Sequence, residues 1–167
     1  MKKLFIAFVT LLLLAFFNES IAQSAPYKAT FSSSFKVGNP AYANMILELW
    51  KDWDDNSFDK HAHYFSDTVT MYMPDGMVVK GKAANMEGAK KYRGSMTSAK
   101  SILHAWVPLT TTDTKQDVVC IWGQETDTWP DGKVETKDLH EVWFFNRDGK
   151  ISAIRQWTGK FGPPTGQ

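Results

Sequence analysis

The length, composition and charge of this chain indicate a single folded domain and argue against nucleic acid as a partner. The chain has 167 residues and a formal net charge of +1, with basic and acidic residues mixed along its length. Nucleic-acid-binding domains concentrate lysine and arginine in a stripe or patch, and this sequence has no such stripe. The length fits one domain that is large enough to bury a hydrophobic core.

The N-terminal residues are typical of a secretory signal peptide. Two lysines precede an apolar run over residues 4–17, and the small residues in the tripeptide that ends at Ala22 suit signal peptidase. Cleavage after Ala22 is therefore predicted. A retained anchor is the alternative, but this run of 14 residues is short of the roughly 20 that span a bilayer. We expect an exported chain, periplasmic or secreted, with no membrane contact after cleavage of residues 1–22.

The remaining chain is predicted to comprise a flexible leader, one domain and a short tail. Residues 23–38 are polar and rich in serine, residues 39–162 hold the periodic segments, and residues 163–167 form the tail. Cys120 is the only cysteine, so the fold has no internal disulfide, and its apolar surroundings predict an inert thiol. Hydrophobic burial must hold the domain together. Seven tryptophans and eleven phenylalanines supply it, and we expect some of them to line a cavity.

Helical spacing dominates the start of the domain. Asn39 is predicted to cap a helix that begins at Pro40 and ends at Asn56, because apolar residues recur there every three or four positions. A second, shorter helix is predicted over residues 58–65. Both helices precede the first segment with strand-like alternation.

Strand patterns dominate the rest of the chain. Alternation from Thr68 and a Pro-Asp-Gly turn predict a short hairpin that closes at residues 77–79. Gly81 then begins a weaker helix that reaches Met96. The chain ends in a meander whose last three strands are joined by Asp-Gly turns. Its four strands are predicted over residues 101–111, 118–129, 134–145 and 151–161.

Three short motifs carry a family resemblance. They are the Tyr-Phe-Ser-Asp-Thr-Val-Thr-Met run at residues 64–71, Gly-Lys-Ala-Ala at 81–84, and residues 140–151 with their Asp-Gly-Lys-Ile turn. In order and spacing, residues 39–160 resemble the nuclear-transport-factor-2-like superfamily and, within it, the SnoaL-like proteins. The resemblance implies an α+β, cone-shaped fold, in which N-terminal helices pack on a curved antiparallel sheet and enclose a pocket. Because the superfamily includes both enzymes and binding modules, the resemblance implies no single reaction.

Glu141 is the candidate functional residue to which the resemblance points. Its spacing from the turn at residues 131–133 matches ketosteroid isomerase, which has an oxyanion-hole acid at this position. A carboxyl that an apolar site keeps protonated can donate a hydrogen bond to an oxyanion. Other positions depart from the family patterns. Met73 stands at the position of the isomerase base and Leu49 at that of its tyrosine, and Thr158 is nearest to the acid of the SnoaL-type cyclases.

Strand alternation predicts which side chains share a pocket with Glu141. Neighbours two positions apart on a strand face the same side. The predicted lining is aromatic and sulfur-rich with a few polar groups, a mixture that is typical of small-molecule sites. It comprises Leu139, Trp143, Cys120, Trp122, Gln124, Thr126, Ile154, Gln156, Thr158, Met73 and Phe65, together with His61 at the rim, near Phe65. The alternative is that Glu141 pairs with Arg155 or Lys137 at the edge of the sheet.

The histidines are weaker candidates. His61 and His63 lie two positions apart on the predicted helix, which directs their side chains apart, so no shared metal ion is expected. His104 lies within a predicted strand, where it is either a base inside the cavity or a hydrogen-bonded core histidine. His140 should point out of the cavity. No cofactor motif accompanies these residues, since a glycine-rich phosphate loop and a nucleophile elbow are both absent from the sequence.

The outward neighbours of Glu141 predict self-association. Val142 and Phe144 are apolar, and an apolar stripe on the outside of a twisted sheet is typical of a dimer interface. We therefore expect a homodimer that forms through the outer sheet face, and His140 could bridge the two subunits.

Two functions of different classes remain open at this stage. The first is an exported SnoaL-like pocket protein that binds a small, largely apolar or aromatic ligand. The second is an enzyme of the lyase, isomerase or hydrolase type that uses Glu141 as acid or base, with His104 or His61 assisting. A dimeric interaction domain with a vestigial cavity is a third possibility. The departures at Met73 and Thr158 favour binding.

Overall fold

Residues 26–160 are the part of the chain that this computed structural model describes. The predicted signal peptide with its cleavage site and the predicted tail lie outside the described residues. Residues 26–31 contain neither helix nor strand, and the elements described below all lie in the unit that begins at Ser32. Within residues 26–160, no helix combines the length and the apolar character that crossing a bilayer requires.

Helix α1 spans Pro40–Asp55 and begins and ends as the sequence predicts. The Asn39 side-chain oxygen accepts a hydrogen bond from the backbone N–H of Ala41 at 3.0 Å, while Pro40 occupies a position where no N–H is needed. At the other end, Asn56 adopts a left-handed conformation with φ of 54°. Asparagine tolerates this conformation, which turns the chain out of the helix.

The predicted second helix over residues 58–65 is wrong. The structure has only a 3₁₀ turn there, Ala62–Tyr64. Side-chain bonds to α1 explain the difference, because His61 bonds to Asp52 and Tyr64 donates to Glu48. These contacts hold His61 and Tyr64 against α1. The later helix is confirmed as α2, Lys82–Gly94.

Within the described residues 26–160, seven strands form one sheet. They are β1 Phe35–Val37, β2 Phe65–Tyr72, β3 Val78–Lys80, β4 Ser98–Thr111, β5 Asp117–Thr128, β6 Val134–Phe145 and β7 Ile151–Lys160. Their order is β1-β4-β5-β6-β7-β2-β3, and all neighbours are antiparallel except β2 and β7. The predicted hairpin and meander are confirmed. The predicted leader extends too far, because β1 lies within it and pairs with β4.

Helix α1 covers one face of this sheet, which we call the inner face. Ala43, Ile46 and Trp50 are buried on the helix, and they form one core cluster with inner-face residues such as Ile121 of β5. The Trp50 ring fits closely over Gly123, since a Cβ at residue 123 would lie only 2.7 Å from the Trp50 ring. A glycine at that point of β5 therefore lets the Trp50 ring approach the backbone of the sheet closely. The opposite side of the sheet is called the outer face.

Candidate functional site

The Glu141 carboxylate is buried on the inner face and accepts three hydrogen bonds. Trp50 Nε1 and Trp143 Nε1 donate to Glu141 Oε2 at 2.8 and 3.0 Å, and Gln156 Nε2 donates to Oε1 at 2.7 Å. Only 5% of the residue is exposed. All three donors are neutral, so this is a buried carboxyl without a cationic partner among its bonded groups.

Burial controls the protonation of Glu141. Loss of hydration raises the pKa of this carboxyl above the usual glutamate value, and the bonds from Gln156, Trp50 and Trp143 act against that rise. A carboxylate offers about four acceptor positions on its two oxygens. Oε2 already accepts two bonds and Oε1 only one, so Oε1 is the oxygen with room for a proton or for a further polar group.

The alternative pairing of Glu141 with Lys137 or Arg155 is wrong. Lys137 Nζ lies 2.8 Å from carboxylate oxygens of both Glu125 and Asp127. Arg155 stacks over the Tyr72 ring at 4.4 Å. Both cations have partners elsewhere, which leaves Glu141 to the neutral donors.

Strand β7 presents its predicted residues beside Glu141. Gln156 pairs with Glu141 across the ladder, and Thr158 pairs with Leu139 two positions further along. Leu139 is buried, whereas Thr158 is exposed. The row of inner-face residues on β6 and β7 therefore extends from the core to the solvent. These residues share the inner face with Glu141.

Two aromatic or sulfur-containing positions of the predicted lining are half-buried near this region. The Phe65 ring lies 6.4 Å from the Trp143 ring and tilts against it, and Phe65 packs on the core cluster. Met73 follows β2 directly and uses its backbone N–H in the hairpin turn, bonding to the Met77 carbonyl at 2.9 Å. Phe65 thus lies on the apolar wall that also contains Trp143.

Trp122 and Gln124 do not share the inner face with Glu141, and neither do Cys120 and Thr126. The predicted register of β5 is wrong by one residue, because Ile121, not Trp122, stands opposite Glu141. The reason is the turn between the strands. Thr128 pairs with Val134, so odd-numbered residues of β5 face odd-numbered residues of β6, and a slip of one residue moves every side chain to the other face.

An aromatic stack occupies the outer face where Trp122 lies. The His140 ring lies between Trp122 at 5.0 Å and Trp157 at 5.3 Å, and both tryptophans remain partly exposed, by 38% and 47%. Burial lowers the pKa of His140. Burial also raises the pKa of the Cys120 thiol on this face, in keeping with an unreactive cysteine.

His104 lies in neither of the two predicted environments. It is exposed and falls at an irregularity of β4, where the pairing with β5 shifts between Leu103 and Ala105. A bulged residue has no cross-strand partner, and its side chain is free to leave the regular alternation. His104 is therefore neither a core histidine nor a base beside Glu141.

His61 is held against α1. Its Nδ1 lies 2.7 Å from Oδ2 of the buried Asp52, and its Nε2 lies 3.9 Å from Glu48 Oε2. The His61 ring stacks on Tyr64 at 5.0 Å, and hydrogen bonding to Glu48 raises the pKa of Tyr64. These contacts fix the connection after α1. They place His61 with acids of α1 and not among the groups bonded to Glu141.

A second group of buried ionisable residues was not predicted. Glu125, Asp127 and Lys137 meet on the inner face, where the Lys137 ammonium lies 5.9 Å from the ring of Tyr92, a residue of α2. Their spacing carried a signal that strand alternation could have revealed, because two acids two positions apart on a buried strand share one face.

Cavities and metal-binding geometry do not single out Glu141. A cavity of about 470 Å³ opens beside the end of α1 and is lined by residues 56–60 and Lys90, all outside the Glu141 environment. Within residues 26–160, no three histidine, cysteine, aspartate or glutamate side chains are arranged to hold a metal ion. The hydrogen bonds and burial of the carboxyl groups are therefore the features that point to a function.

Comparison with known proteins shows the fold. The chain matches no protein-family model and no curated protein by sequence. Among solved structures, an NTF2-like protein of unknown function from Exiguobacterium sp. 255-15 matches with a TM-score of 0.58 and 21% identity, covering 70% of this chain and 99% of that one. The chain has the NTF2-like fold.

Two further similar structures have names that refer to a type of reaction. A protein named after the SnoaL-like polyketide cyclases, from Shewanella denitrificans OS-217, matches with a TM-score of 0.60 and 10% identity, covering 72% of this chain and 92% of that one. The epoxide hydrolase/cyclase-like enzyme SalBIII, which has a role in pyran ring formation in salinomycin, matches with a TM-score of 0.56 and 18% identity, covering 71% and 91%. At these identities the NTF2-like chain shares an architecture with them, and the architecture alone fixes no reaction.

Proposed function

We propose that this chain is an exported protein that binds a small, largely apolar or aromatic ligand on the inner face beside Glu141. The observation that carries the proposal is the buried Glu141 carboxyl, which is held by three neutral N–H donors and keeps an open acceptor position on Oε1. Burying a carboxyl that has no cationic partner costs free energy, so Glu141 lowers the stability of the fold. Such groups concentrate at functional sites.

The surroundings of Glu141 support an aromatic ligand with one polar atom. Leu139, Trp143 and Phe65 supply apolar surface, and Gln156 supplies a second polar group beside the carboxyl. Binding sites for small molecules combine apolar walls with a few oriented polar groups. Because burial raises the pKa of Glu141, the protonated carboxyl can donate to a phenolic or carbonyl oxygen.

A matched pair of glutamines tests the proposal. Gln156 lies on the inner face and Gln124 on the outer face, so Gln156→Ala and Gln124→Ala remove the same group from opposite sides. The probe is 4-nitrophenol, a small aromatic molecule with one phenolic oxygen, whose absorbance reports its binding. We expect Q156A to weaken binding about fivefold or more and Q124A to leave it unchanged. Equal effects, or no binding by the wild type, would contradict the proposal.

Catalysis at the same residue is the alternative that the similarity to SalBIII supports. Glu141 would then act as acid or base, without His104, which is exposed, and without His61, which bonds to Asp52. Glu141→Gln keeps the shape of the side chain and removes its titration. Under this alternative, E141Q would abolish turnover and preserve binding, whereas the binding proposal expects no wild-type turnover that depends on Glu141.

Export and dimerisation belong to the same proposal. Export places the mature N-terminus at Gln23, which N-terminal sequencing of the protein from the native host would test. A homodimer would cover the outer face at Val142 and Phe144, next to the exposed Trp122 and Trp157. Val142→Lys should then shift sedimentation at micromolar concentration from dimer to monomer. A wild type that sediments as a monomer would contradict a dimer interface on the outer face.

A further inference from the structure

Glu125 and Asp127 form a second buried acidic site, separate from Glu141. Both project from β5 onto the inner face, and they are 5% and 0% exposed. On β5, Ile121 stands opposite Glu141, and Glu125 lies four residues further along, about 13 Å at the usual rise per residue. The two acidic sites therefore lie on one face, separated by the length of a small molecule.

Lys137 holds the two acids together but cannot neutralise both. Its Nζ lies 2.8 Å from Glu125 Oε1 and 2.8 Å from Asp127 Oδ2. Two ionised carboxylates beside one ammonium would leave one buried negative charge. Loss of hydration opposes that charge, and it is the largest cause that raises the pKa of Glu125, to about 7, with Asp127 adding to the rise through its charge and a hydrogen bond.

Asp127 has an acceptor atom that lacks a donor. Among residues 26–160, no hydrogen-bond donor reaches Asp127 Oδ1, although this atom is fully buried. Buried polar atoms are nearly always satisfied, so an unsatisfied one calls for a partner. A proton on the neighbouring Glu125 is one donor that the site itself can provide, and a water molecule is another.

We propose that Glu125 and Asp127 share one proton beside Lys137 and act as an acid–base pair that directs water onto a small uncharged substrate. With one shared proton, the pair carries a single negative charge, which the Lys137 ammonium balances. A neutral site favours a neutral substrate, because an anion would meet the carboxylates and a cation would meet Lys137. Of the three side chains, that of Lys137 is the most exposed, at 20%.

The proposed step is hydrolysis of an activated C–O bond, such as that of an acetal. Asp127 takes a proton from water as the water oxygen bonds to carbon. Glu125 gives its proton to the leaving oxygen as the original C–O bond breaks. The pair has then gained one proton on Asp127 and lost one from Glu125, and transfer between the two carboxyls restores the starting state. Two carboxyls that share a proton divide acid and base roles in this way.

A purely structural ion cluster is the competing explanation, and infrared spectroscopy addresses the shared proton first. We expect protonated-carboxyl absorption at pH 6 that is weaker in Glu125→Gln than in the wild type. Glu87→Gln is the control, since Glu87 is an exposed acid on α2, and it should leave the absorption unchanged. Absorption as strong in E125Q as in the wild type, with the variant folded by circular dichroism, would overturn the shared proton.

Kinetics address the acid–base role. The probe is 2-(4-nitrophenoxy)tetrahydropyran, a neutral aromatic acetal that releases 4-nitrophenol. We expect wild-type turnover that falls as the pH rises past about 7, where Glu125 loses its proton, and a loss of about 100-fold or more in E125Q together with that pH dependence. Asp127→Asn provides a second variant should E125Q fold poorly. Turnover in Glu87→Gln should stay within about twofold of the wild type, because Glu87 is exposed on α2.

The outcomes at the two acidic sites are separable. Wild-type hydrolysis no faster than buffer, or equal rates in folded wild type, E125Q and D127N, would overturn the catalytic proposal and leave 4-nitrophenol binding at Glu141 untouched. Conversely, Gln156→Ala should weaken 4-nitrophenol binding and preserve the pH profile of acetal hydrolysis. A structural role alone would change the stability of E125Q but not the pH dependence of a rate.

Discussion

Glu141 and Glu125 lie on the same face of the same sheet and are buried to a similar degree, yet their surroundings differ in kind. Glu141 meets only neutral N–H donors, two of them from indoles. Glu125 meets an ammonium and a second carboxyl. Burial raises the pKa of both carboxyls, but hydrogen bonds oppose the rise at Glu141, whereas at Glu125 Lys137 opposes it and Asp127 adds to it.

This contrast separates two uses of a buried acid. Neutral donors orient a carboxyl without placing a charge beside it, so its solvation decides whether it is ionised. Such a carboxyl is suited to binding one polar atom of a ligand. A second acid in contact forces two carboxyls to compete for a proton, which suits proton transfer. Variants that remove one type of partner at a time therefore report which use each site serves.

Removing the indole over Glu141 should have the largest effect. Trp50→Ala takes away a buried side chain and a hydrogen-bond donor, so we expect the free energy of unfolding to fall by about 4 kcal/mol. Trp122→Ala is the control on the outer face, where the side chain is 38% exposed, and we expect about 1 kcal/mol in the monomer. Urea unfolding measures both. Similar losses in the two variants would mean that Trp50 is not a core residue.

Removing the cation beside Glu125 should come next. Lys137→Met leaves two carboxyls without their ammonium, and at pH 8 we expect a loss of about 3 kcal/mol. At pH 5 the loss should shrink, because Glu125, whose pKa is raised to about 7, is then protonated and places less negative charge beside the missing ammonium. Lys133→Met is the matched control, since Lys133 is an exposed lysine paired with Glu135, and it should cost less than about 1 kcal/mol. A pH-independent loss in K137M would argue against proton uptake by the pair.

The pH dependence of stability follows from Glu125. Its pKa is raised from 4.5 to about 7 in the folded protein, so the folded state holds this proton more tightly than the unfolded state. The contribution of Glu125 to the free energy of unfolding is therefore largest below pH 4.5 and falls as the pH rises through about 7, by roughly 2 to 3 kcal/mol. Glu125→Gln should flatten this slope. An unchanged slope between pH 5 and 8 would assign the titration to another group.

Adding a methyl group to β5 beneath the Trp50 ring should have a smaller effect. Gly123→Ala adds a Cβ 2.7 Å from the Trp50 ring and from the Ile102 carbonyl oxygen, so we expect a loss of about 2 kcal/mol from overpacking. Gly159→Ala is the matched control in β7, because its added Cβ would meet Asp138 only at 3.8 Å. Thermal unfolding of the two variants checks the difference. A G123A variant as stable as G159A would show that the ring moves freely.

The sequence predicted the architecture well and the site less well. Capping at Asn39, the helical period of α1 and the Asp-Gly turns are local features, and they predicted the helix, the hairpin and the meander. The family resemblance to SnoaL-like proteins predicted how these elements are arranged in space. The short helix over residues 58–65 failed because the contact of His61 with Asp52 is a tertiary one, and tertiary contacts override local period.

The predicted side chains around Glu141 were right on β7 and wrong on β5 for one reason. Pairing across a strand ladder has a period of two, so a single uncertain turn decides the facing of a whole strand. A register that directs Trp122 and Gln124 inward directs Glu125 and Asp127 outward. The buried acid pair and its partner Lys137 were therefore not predicted. Trp50 was not predicted to be a hydrogen-bond donor, because a tryptophan on the apolar side of a helix is typical of a core residue.

A carboxyl-resolved NMR titration of Glu141, with and without 4-nitrophenol, tests the central claim most directly. The proposed binding site predicts a carboxyl resonance, assigned by its loss in Glu141→Gln, that titrates above the usual glutamate range, because burial raises the pKa of this group. It also predicts that the probe shifts this titration, since a phenolic oxygen at Oε1 changes the cost of adding or removing the proton. A Glu141 carboxyl that titrates in the ordinary range, and does so identically with the probe present, would contradict the claim and remove Glu141 from the binding site.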